Sequence, residues 1–160
     1  MPTHRSLCIA AARWLLSRPG LDLACWELKY NKGFVDAIAV STKRKTKNKK
    51  ICIVEVKRTR SDLLQDLNKG KLLKYEKGST HCYLAATREA LRLNTLNEKQ
   101  CIEDLTSRGL PSHWGILVYS PDGNMLRSIR KVKKLRNAHK LTLQSIITKI
   151  GKSFMYKALA

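Results

Sequence analysis

The sequence has few acidic residues for its size. Among its 160 residues, 12 Asp and Glu stand against 32 Lys and Arg, which gives a formal net charge of +20 at pH 7. So much positive charge repels itself in a folded chain, and a polyanionic partner is the simplest explanation. Nucleic acid is the first candidate, and an anionic membrane surface is a distant second. A structural protein of the ribosomal type has the same charge balance, so the charge alone does not indicate an enzyme.

The cysteines lack any pairing pattern. There are five of them, scattered along the chain without a CxxC motif. Most stand among apolar residues, where a free thiol packs as a small hydrophobic group. This pattern argues against a disulfide framework and a zinc knuckle, and it predicts a reducing, cytoplasmic location. The four histidines likewise show no ligand spacing, so we expect them at the surface or in structural contacts.

The sequence also lacks a long apolar run. None approaches the ~20 residues that cross a bilayer, so we expect no membrane partner. The N-terminal stretch LCIAAARWLL resembles the apolar part of a signal peptide, but Arg13 interrupts it and no clear cleavage site follows. The better interpretation is an amphipathic helix over residues 4–18, ended by Pro19-Gly20.

The remaining pattern predicts one α/β domain over residues 1–160, in the order helix, three strands, helix, strand. Strands are expected at 22–30, 34–41, 51–57, 81–87 and 114–120. The first three form an antiparallel meander with a turn at 31–33 and a basic loop, KRKTKNKK, at 43–50. Further helices are expected after an N-cap at Ser61, over 88–108 and over 141–157.

The apolar stretch ICIVEVK, residues 51–57, carries two charges that burial penalises. Alternate residues of a strand share a face, so Glu55 and Lys57 stand about 6.6 Å apart, at ~3.3 Å per residue. Asp36 is another acid inside an apolar strand, and pairing of the two strands can bring it to Glu55. Two carboxylates and an amine suit a hard cation and an attacking water. The alternative is a structural ion pair at the rim of the sheet.

In the catalytic interpretation, Mg²⁺ or Mn²⁺ is bound by Asp36 and Glu55, helped by the Val56 carbonyl. Lys57 orients or deprotonates the attacking water, or stabilises the charge that develops on the phosphate. Five of the twelve acids fall between residues 27 and 66, although carboxylates repel DNA. That clustering favours the catalytic interpretation over the ion pair.

The stretches FVDAIAV and IVEVK resemble the PD-(D/E)XK nuclease superfamily, whose D…E-x-K motif matches Asp36, Glu55 and Lys57. The longer stretch EVKRTRSDLLQDLNKGKLLKY, with LPSHWGIL downstream, is similar to the MmcB-like branch of DNA-repair-associated proteins. The resemblance covers about residues 22–130. It implies a restriction-endonuclease-like fold with a mixed sheet flanked by helices. It also implies a Mg²⁺-dependent DNA endonuclease of repair or recombination.

The resemblance extends to further positions of this chain, which are Ser61, Asp62, Asp66, Lys69, Lys71 and Tyr75. Asp66 either joins the site or fixes a neighbouring lysine, whereas Asp62 is explained more simply by the helix dipole. Many relatives carry an acid on the first helix, which this chain lacks. Glu27 is the candidate to replace it, and the alternative is an ion pair of Glu27 with Lys29 or Lys57.

Two basic segments, 43–50 and 127–140, are the candidates for phosphate contacts, which hold a nucleic-acid backbone without reading its bases. The residues expected at DNA are Lys43, Arg44, Lys45, Lys47, Lys49, Lys50, Arg58, Arg60, Lys69, Lys71, Tyr75, Arg130, Lys131, Lys133 and Lys134. RNA stays an alternative substrate, and a non-catalytic nucleic-acid-binding protein stays the alternative function. A concerted cut of two strands would favour a homodimer.

Overall fold

The computed structural model describes residues 1–30 and 33–159, apart from the side chains of 156, 158 and 159. The predicted turn at Asn31-Lys32 therefore lies outside the described residues. The helices are α1 (His4–Leu16), α2 (Arg60–Asn68), α3 (Arg88–Leu91), α4 (Glu98–Ser107) and α5 (Lys140–Leu159), with a 3-10 helix at Lys71–Tyr75. The strands are β1 (Leu23–Tyr30), β2 (Gly33–Val40), β3 (Ile51–Lys57), β4 (His81–Ala86), β5 (Gly115–Tyr119) and β6 (Leu126–Arg130).

The six strands form one mixed sheet in which neighbours in space are also neighbours in sequence. Strands β1, β2 and β3 are antiparallel, as the predicted meander requires. Strands β3, β4 and β5 are parallel, and β6 returns antiparallel to β5. Parallel neighbours need a crossover, which α2 provides before β4, and α3 with α4 before β5. The prediction of a mixed α/β sheet flanked by helices is confirmed.

The sheet buries an apolar core on each of its faces. One core includes α1 together with Cys52, Val54 and Val56 of β3. The other includes Ile51 and Ile53 with apolar residues of α2, α4 and α5. We call these sides the α1 face and the α2 face. Burial on both faces explains why residues 51–54 and 56 of β3 are all apolar, and the alternation of β3 assigns Glu55 and Lys57 to the α2 face.

Two predicted details of the helices are wrong. The N-cap of α2 is Thr59, not Ser61, because the Thr59 side chain accepts the backbone N–H of Asp62 at 3.2 Å. The predicted helix over 88–108 is divided, because Arg92 takes a left-handed backbone with φ of +59°. The second half then starts as α4 with its own N-cap at Asn97.

All five cysteines are free and buried. Within residues 1–30 and 33–159, none of the helices combines the length and the apolar character that crossing a bilayer requires.

Candidate active site

The charged residues of β3 lie where β2 and β3 separate. The ladder between the two strands ends at the pair of Ala37 and Val54, one residue before Asp36 and Glu55 would pair. Beyond that point Asp36 Oδ2 accepts the backbone N–H of Val56 at 2.8 Å. A side chain thus replaces the next backbone hydrogen bond, and the register places Asp36 beside Glu55.

Glu55 is buried, and only one of its two carboxylate oxygens has a hydrogen-bond partner. Its Oε1 atom accepts a hydrogen bond from Lys57 Nζ at 2.9 Å, whereas its Oε2 atom is buried without a hydrogen-bond partner. Burial, followed by the charge of Asp36, raises the pKa of Glu55 to about 7. A buried acceptor without a partner costs about 1–3 kcal/mol or more when charged. A water molecule or a cation would satisfy this free oxygen.

Lys57 connects β3 to α2. Its ammonium group contacts Glu55 and also Asp66 Oδ2, whose other oxygen lies 3.8 Å from Lys71 Nζ. Burial lowers the pKa of Lys57, but the charge of Glu55 and the hydrogen bond to Asp66 outweigh it and raise the pKa above its ordinary value. Lys57 therefore stays protonated at neutral pH. The sequence left open whether Asp66 joins the site or fixes a lysine. In the structure it contacts two lysines, Lys57 and Lys71, at the edge of the site.

Glu27 lies where the ladder of β1 and β2 is interrupted, between the pairs Trp26–Ala37 and Leu28–Val35. Its φ of +51° is left-handed, a conformation that costs energy outside glycine and often marks a functional position. The alternation of β1 changes sides at this point, since Cys25 and Leu28 pack in the same core. The charge of Glu27 raises the pKa values of His4 and Cys8, although it is not the largest influence on either group.

The structure adds two residues that the sequence analysis did not select. His4 Nε2 lies 3.1 Å from Asp36 Oδ1 and 3.4 Å from Cys8 Sγ. The hydrogen bond to Asp36 raises the pKa of His4 above its ordinary value. His4 and Cys8 are four residues apart on α1, so they share a helix face. This His-x-x-x-Cys spacing was the available signal, and it was missed because the histidines were compared only with one another.

We call Glu27, Asp36, Glu55 and Asp66, together with Lys57, the carboxylate cluster.

Several of the residues expected at DNA contact protein groups, and three of them are held in this way at buried or half-buried positions away from the basic loop. Tyr75 is buried, and its hydroxyl donates to the Phe34 carbonyl at 3.1 Å. Arg60 donates to Asp104 and to a backbone carbonyl of α3. Arg130 donates to the carbonyls of Trp114 and Pro111 and to the Thr106 hydroxyl, so its guanidinium holds three segments together.

The 43–50 loop and residues 131–134 of the second basic segment lie at the other end of β3. The 43–50 loop joins β2 to the start of β3 at Ile51, whereas the carboxylate cluster lies at the end of β3. Residues 131–134 follow β6, whose last residue, Arg130, pairs with Ile116 near the start of β5. After burial, the charges of Lys50 and Lys134 lower the pKa of His81, so the two segments approach one another there. We call residues 43–50 with 131–134 the basic end.

Exposure also distinguishes the remaining candidates. Within the basic end the exposed cations are Lys43, Arg44, Lys45, Lys47, Lys131, Lys133 and Lys134, while Lys49 and Lys50 are half-buried. Near the carboxylate cluster, Arg58 follows β3 directly and is exposed, and Lys69 and Lys71 are exposed at the end of α2. The chain thus presents cations to solvent at both ends of β3.

No protein-family model and no curated protein sequence matches this chain. Its structure is similar to that of SPO1766, a protein of unknown function from Silicibacter pomeroyi, with a TM-score of 0.68 and 17% sequence identity. That superposition covers 99% of this chain and 90% of the other, and it shows a shared fold alone. A distant similarity to Pyrococcus furiosus SfsA in complex with Ca²⁺ covers 78% of this chain and 61% of the other. Its TM-score of 0.29, at 11% identity, carries no argument.

Proposed function

We propose that this protein is a Mg²⁺- or Mn²⁺-dependent endonuclease that hydrolyses DNA phosphodiester bonds in the cytoplasm, in repair or recombination. The observation that carries the proposal is the buried, unpartnered Oε2 atom of Glu55, next to Asp36 and Lys57. The D…E-x-K resemblance to the PD-(D/E)XK superfamily and its MmcB-like branch supports it. So does the mixed six-stranded sheet flanked by helices, which is the fold class that the resemblance implies.

The donor set fits a hard divalent cation. Asp36, Glu55 and the Val56 carbonyl would hold the ion, since Mg²⁺ prefers carboxylate and carbonyl oxygens. The free oxygen of Glu55 supplies an acceptor that nothing else in the described residues uses. When bound, the ion would supply charge neutralisation at the phosphate and a more acidic water.

Lys57 acts best as a fixed positive charge. Two carboxylates hold its ammonium, and its raised pKa keeps the proton in place at neutral pH. That state suits orienting a water molecule and stabilising charge on the phosphate, rather than removing a proton. Asp66 is then a positioning residue, because it fixes Lys57 from α2 without adding to the proposed cation ligands.

DNA would reach the site across exposed cations at the end of β3. Arg58, Lys69 and Lys71 are the proposed phosphate contacts there. Arg60, Arg130 and Tyr75 are left out of the proposed interface because their polar groups are used inside the protein. The basic end would hold a second stretch of the same nucleic acid.

One observation favours the alternative, a nucleic-acid-binding protein without catalysis. Both oxygens of Asp36 have protein partners, His4 and the Val56 N–H, as in a structural ion-pair network. The two functions differ in what the acids do. In a metal site their mutual repulsion destabilises the fold, whereas in a network each removal leaves a buried partner uncompensated.

A cleavage panel separates the two functions. Linear, single-stranded, flapped and four-way DNA, with RNA for comparison, would be incubated with Mg²⁺ or Mn²⁺ and each of four proteins. These are the parent, Asp36→Asn, Glu55→Gln and Glu103→Gln, the last being an exposed acid of α4. The first two variants should lose cleavage by about 10³-fold or more, while Glu103→Gln should equal the parent.

Thermal melts complete the comparison. Asp36→Asn and Glu55→Gln should melt at or above the parent temperature and bind DNA at least as tightly. Mg²⁺ should raise the melting temperature of the parent and of Glu103→Gln, but not of the two site variants. A parent that cuts none of the substrates, with site variants that melt far lower, would establish the structural network instead.

A further inference from the structure

The α1 face of the site carries a second donor set, chemically unlike the first. Among the residues that the structure describes, His4, Cys8 and Asp36 form a group of three potential metal ligands whose donor atoms all lie within 4.8 Å of one another. One ligand is a nitrogen, one a sulfur and one an oxygen. Each comes from a different position on two rigid elements, since His4 and Cys8 lie on α1 and Asp36 lies on β2.

Cys8 lies where the core of the α1 face meets polar side chains. The residue is fully buried and packs in that core, but its Sγ atom also lies 3.4 Å from His4 Nε2. Asp36, and Glu55 beside it in the register, bring negative charge to this edge of the core. A divalent cation would compensate their charge, and coordination would release the thiol proton to water.

Glu27 is the candidate for a fourth ligand. It lies in the gap of the β1–β2 ladder between the pairs Trp26–Ala37 and Leu28–Val35, and Asp36 lies in the same gap on β2. Its left-handed backbone accompanies the change of sides that packs Cys25 and Leu28 in one core. The His4 side chain is 47% exposed, so an ion can enter from the solvent side of α1.

We propose that His4, Cys8 and Asp36, with Glu27 or a water as the fourth ligand, form a site for a thiophilic divalent cation such as Zn²⁺. Nitrogen and thiolate ligands in a tetrahedral set favour Zn²⁺ or Co²⁺ over Mg²⁺, which prefers six oxygens. The site shares Asp36 with the proposed catalytic centre, but it does not depend on nuclease activity. The thiolate gives it a signature that the catalytic site lacks.

The test is a titration of the full-length protein with Co²⁺, in the presence of a phosphine reductant and without Mg²⁺. Bound Co²⁺ should give a thiolate-to-cobalt charge-transfer band and the visible bands of tetrahedral cobalt, at one ion per chain. Zn²⁺ should remove both bands. Cys8→Ala should lose the charge-transfer band, and Cys52→Ala, a matched buried cysteine of β3, should keep it.

A second variant guards against a folding defect in Cys8→Ala. His4 is partly exposed, so His4→Asn should fold normally while its Co²⁺ dissociation constant rises at least about 100-fold. Absence of the band in the parent, or its survival in Cys8→Ala, would overturn the proposal. So would His4→Asn binding Co²⁺ as the parent does.

Two further measurements separate this site from the nuclease proposal. Glu55→Gln should lose cleavage and keep the cobalt bands, whereas Cys8→Ala should lose the bands and keep Mg²⁺-dependent cleavage. Failure of the nuclease assay in every protein would leave the cobalt result standing. Cobalt bands that vanish with Glu55→Gln would place the ion in the oxygen site and overturn the thiolate site.

Discussion

The two ends of β3 differ in charge, burial and partners. At its end, the carboxylate cluster is mostly buried, and nearly every acid has a defined partner. At its start, the basic end presents exposed Lys and Arg side chains to solvent. About 20 Å separate Ile51 from Lys57, at ~3.3 Å per residue. In the nuclease proposal, this contrast would keep most of the phosphate-binding cations away from the carboxylates, which repel phosphate.

The distance between the two ends of β3 can be compared with the spacing of base pairs in a DNA duplex. A duplex rises ~3.4 Å per base pair, so the length of β3 corresponds to roughly six base pairs. In the nuclease proposal, phosphates held at the basic end would therefore lie several base pairs from the bond that is cut. In the alternative function, the same distance has no consequence.

The largest effect is expected at Lys57. Lys57→Met leaves Glu55 and Asp66 buried without their shared cation, which should cost roughly 4 kcal/mol of unfolding free energy and abolish cleavage. Lys45→Met removes the same charge from an exposed position at the basic end and should leave the free energy of unfolding unchanged. Urea unfolding at neutral pH measures both proteins. If Lys57→Met is as stable as the parent, then Glu55 and Asp66 are not charged in the folded protein. The end of β3 would then differ from its start in burial but not in buried charge.

The next effect is the pH dependence that Glu55 contributes. Its pKa rises from 4.5 to about 7 on folding, chiefly through burial, so the folded state holds the proton more tightly than the unfolded chain. The free energy of unfolding should therefore fall as pH rises from about 4.5 to about 7, by up to about 3 kcal/mol. The slope of the free energy of unfolding against pH should be smaller in Glu55→Gln. Equal slopes in urea titrations of the two proteins would mean that Glu55 ionises normally.

A smaller effect is expected at the junction of β6 and the basic end. Arg130→Ala removes the donor of three internal acceptors and should cost about 2 kcal/mol. Lys131→Ala, the exposed neighbour, should change stability by less than about 0.5 kcal/mol and weaken DNA binding instead. The reverse outcome, a stable Arg130→Ala protein with weak DNA binding, would move Arg130 into the interface.

The smallest effect concerns the loop alone. Reversing two exposed charges, Lys45→Glu with Lys47→Glu, should weaken DNA binding about tenfold and reduce the slope of log affinity against log salt by about 2. The control reverses Lys99 and Lys152, which are exposed on α4 and α5. Fluorescence anisotropy over a range of salt measures both. An equal loss of DNA affinity in the control would show that binding depends on the net charge of the protein and not on the position of the basic end.

Much of this contrast could be read from the sequence. The alternation of β3 predicted the shared face of Glu55 and Lys57, and the D…E-x-K spacing selected Asp36. The position of the 43–50 loop was also implied, since a loop between β2 and β3 must lie at the start of β3. The internal role of Arg130 was not readable, because its acceptors lie on segments far away in sequence. The approach of α1 to Asp36 was hidden for the same reason, and with it the pairing of His4 and Cys8.

The sequential order of the strands has a consequence for how the protein is made. Asp36, Glu55, Lys57 and Asp66 come from consecutive elements, and β1, β2 and β3 pair through short connections. Short loops cost little entropy to close, so this part of the sheet should form early. During synthesis, every residue of the cluster is translated before β4. Pulse-labelled hydrogen exchange should then find the amides of β2 and β3 protected before those of β6.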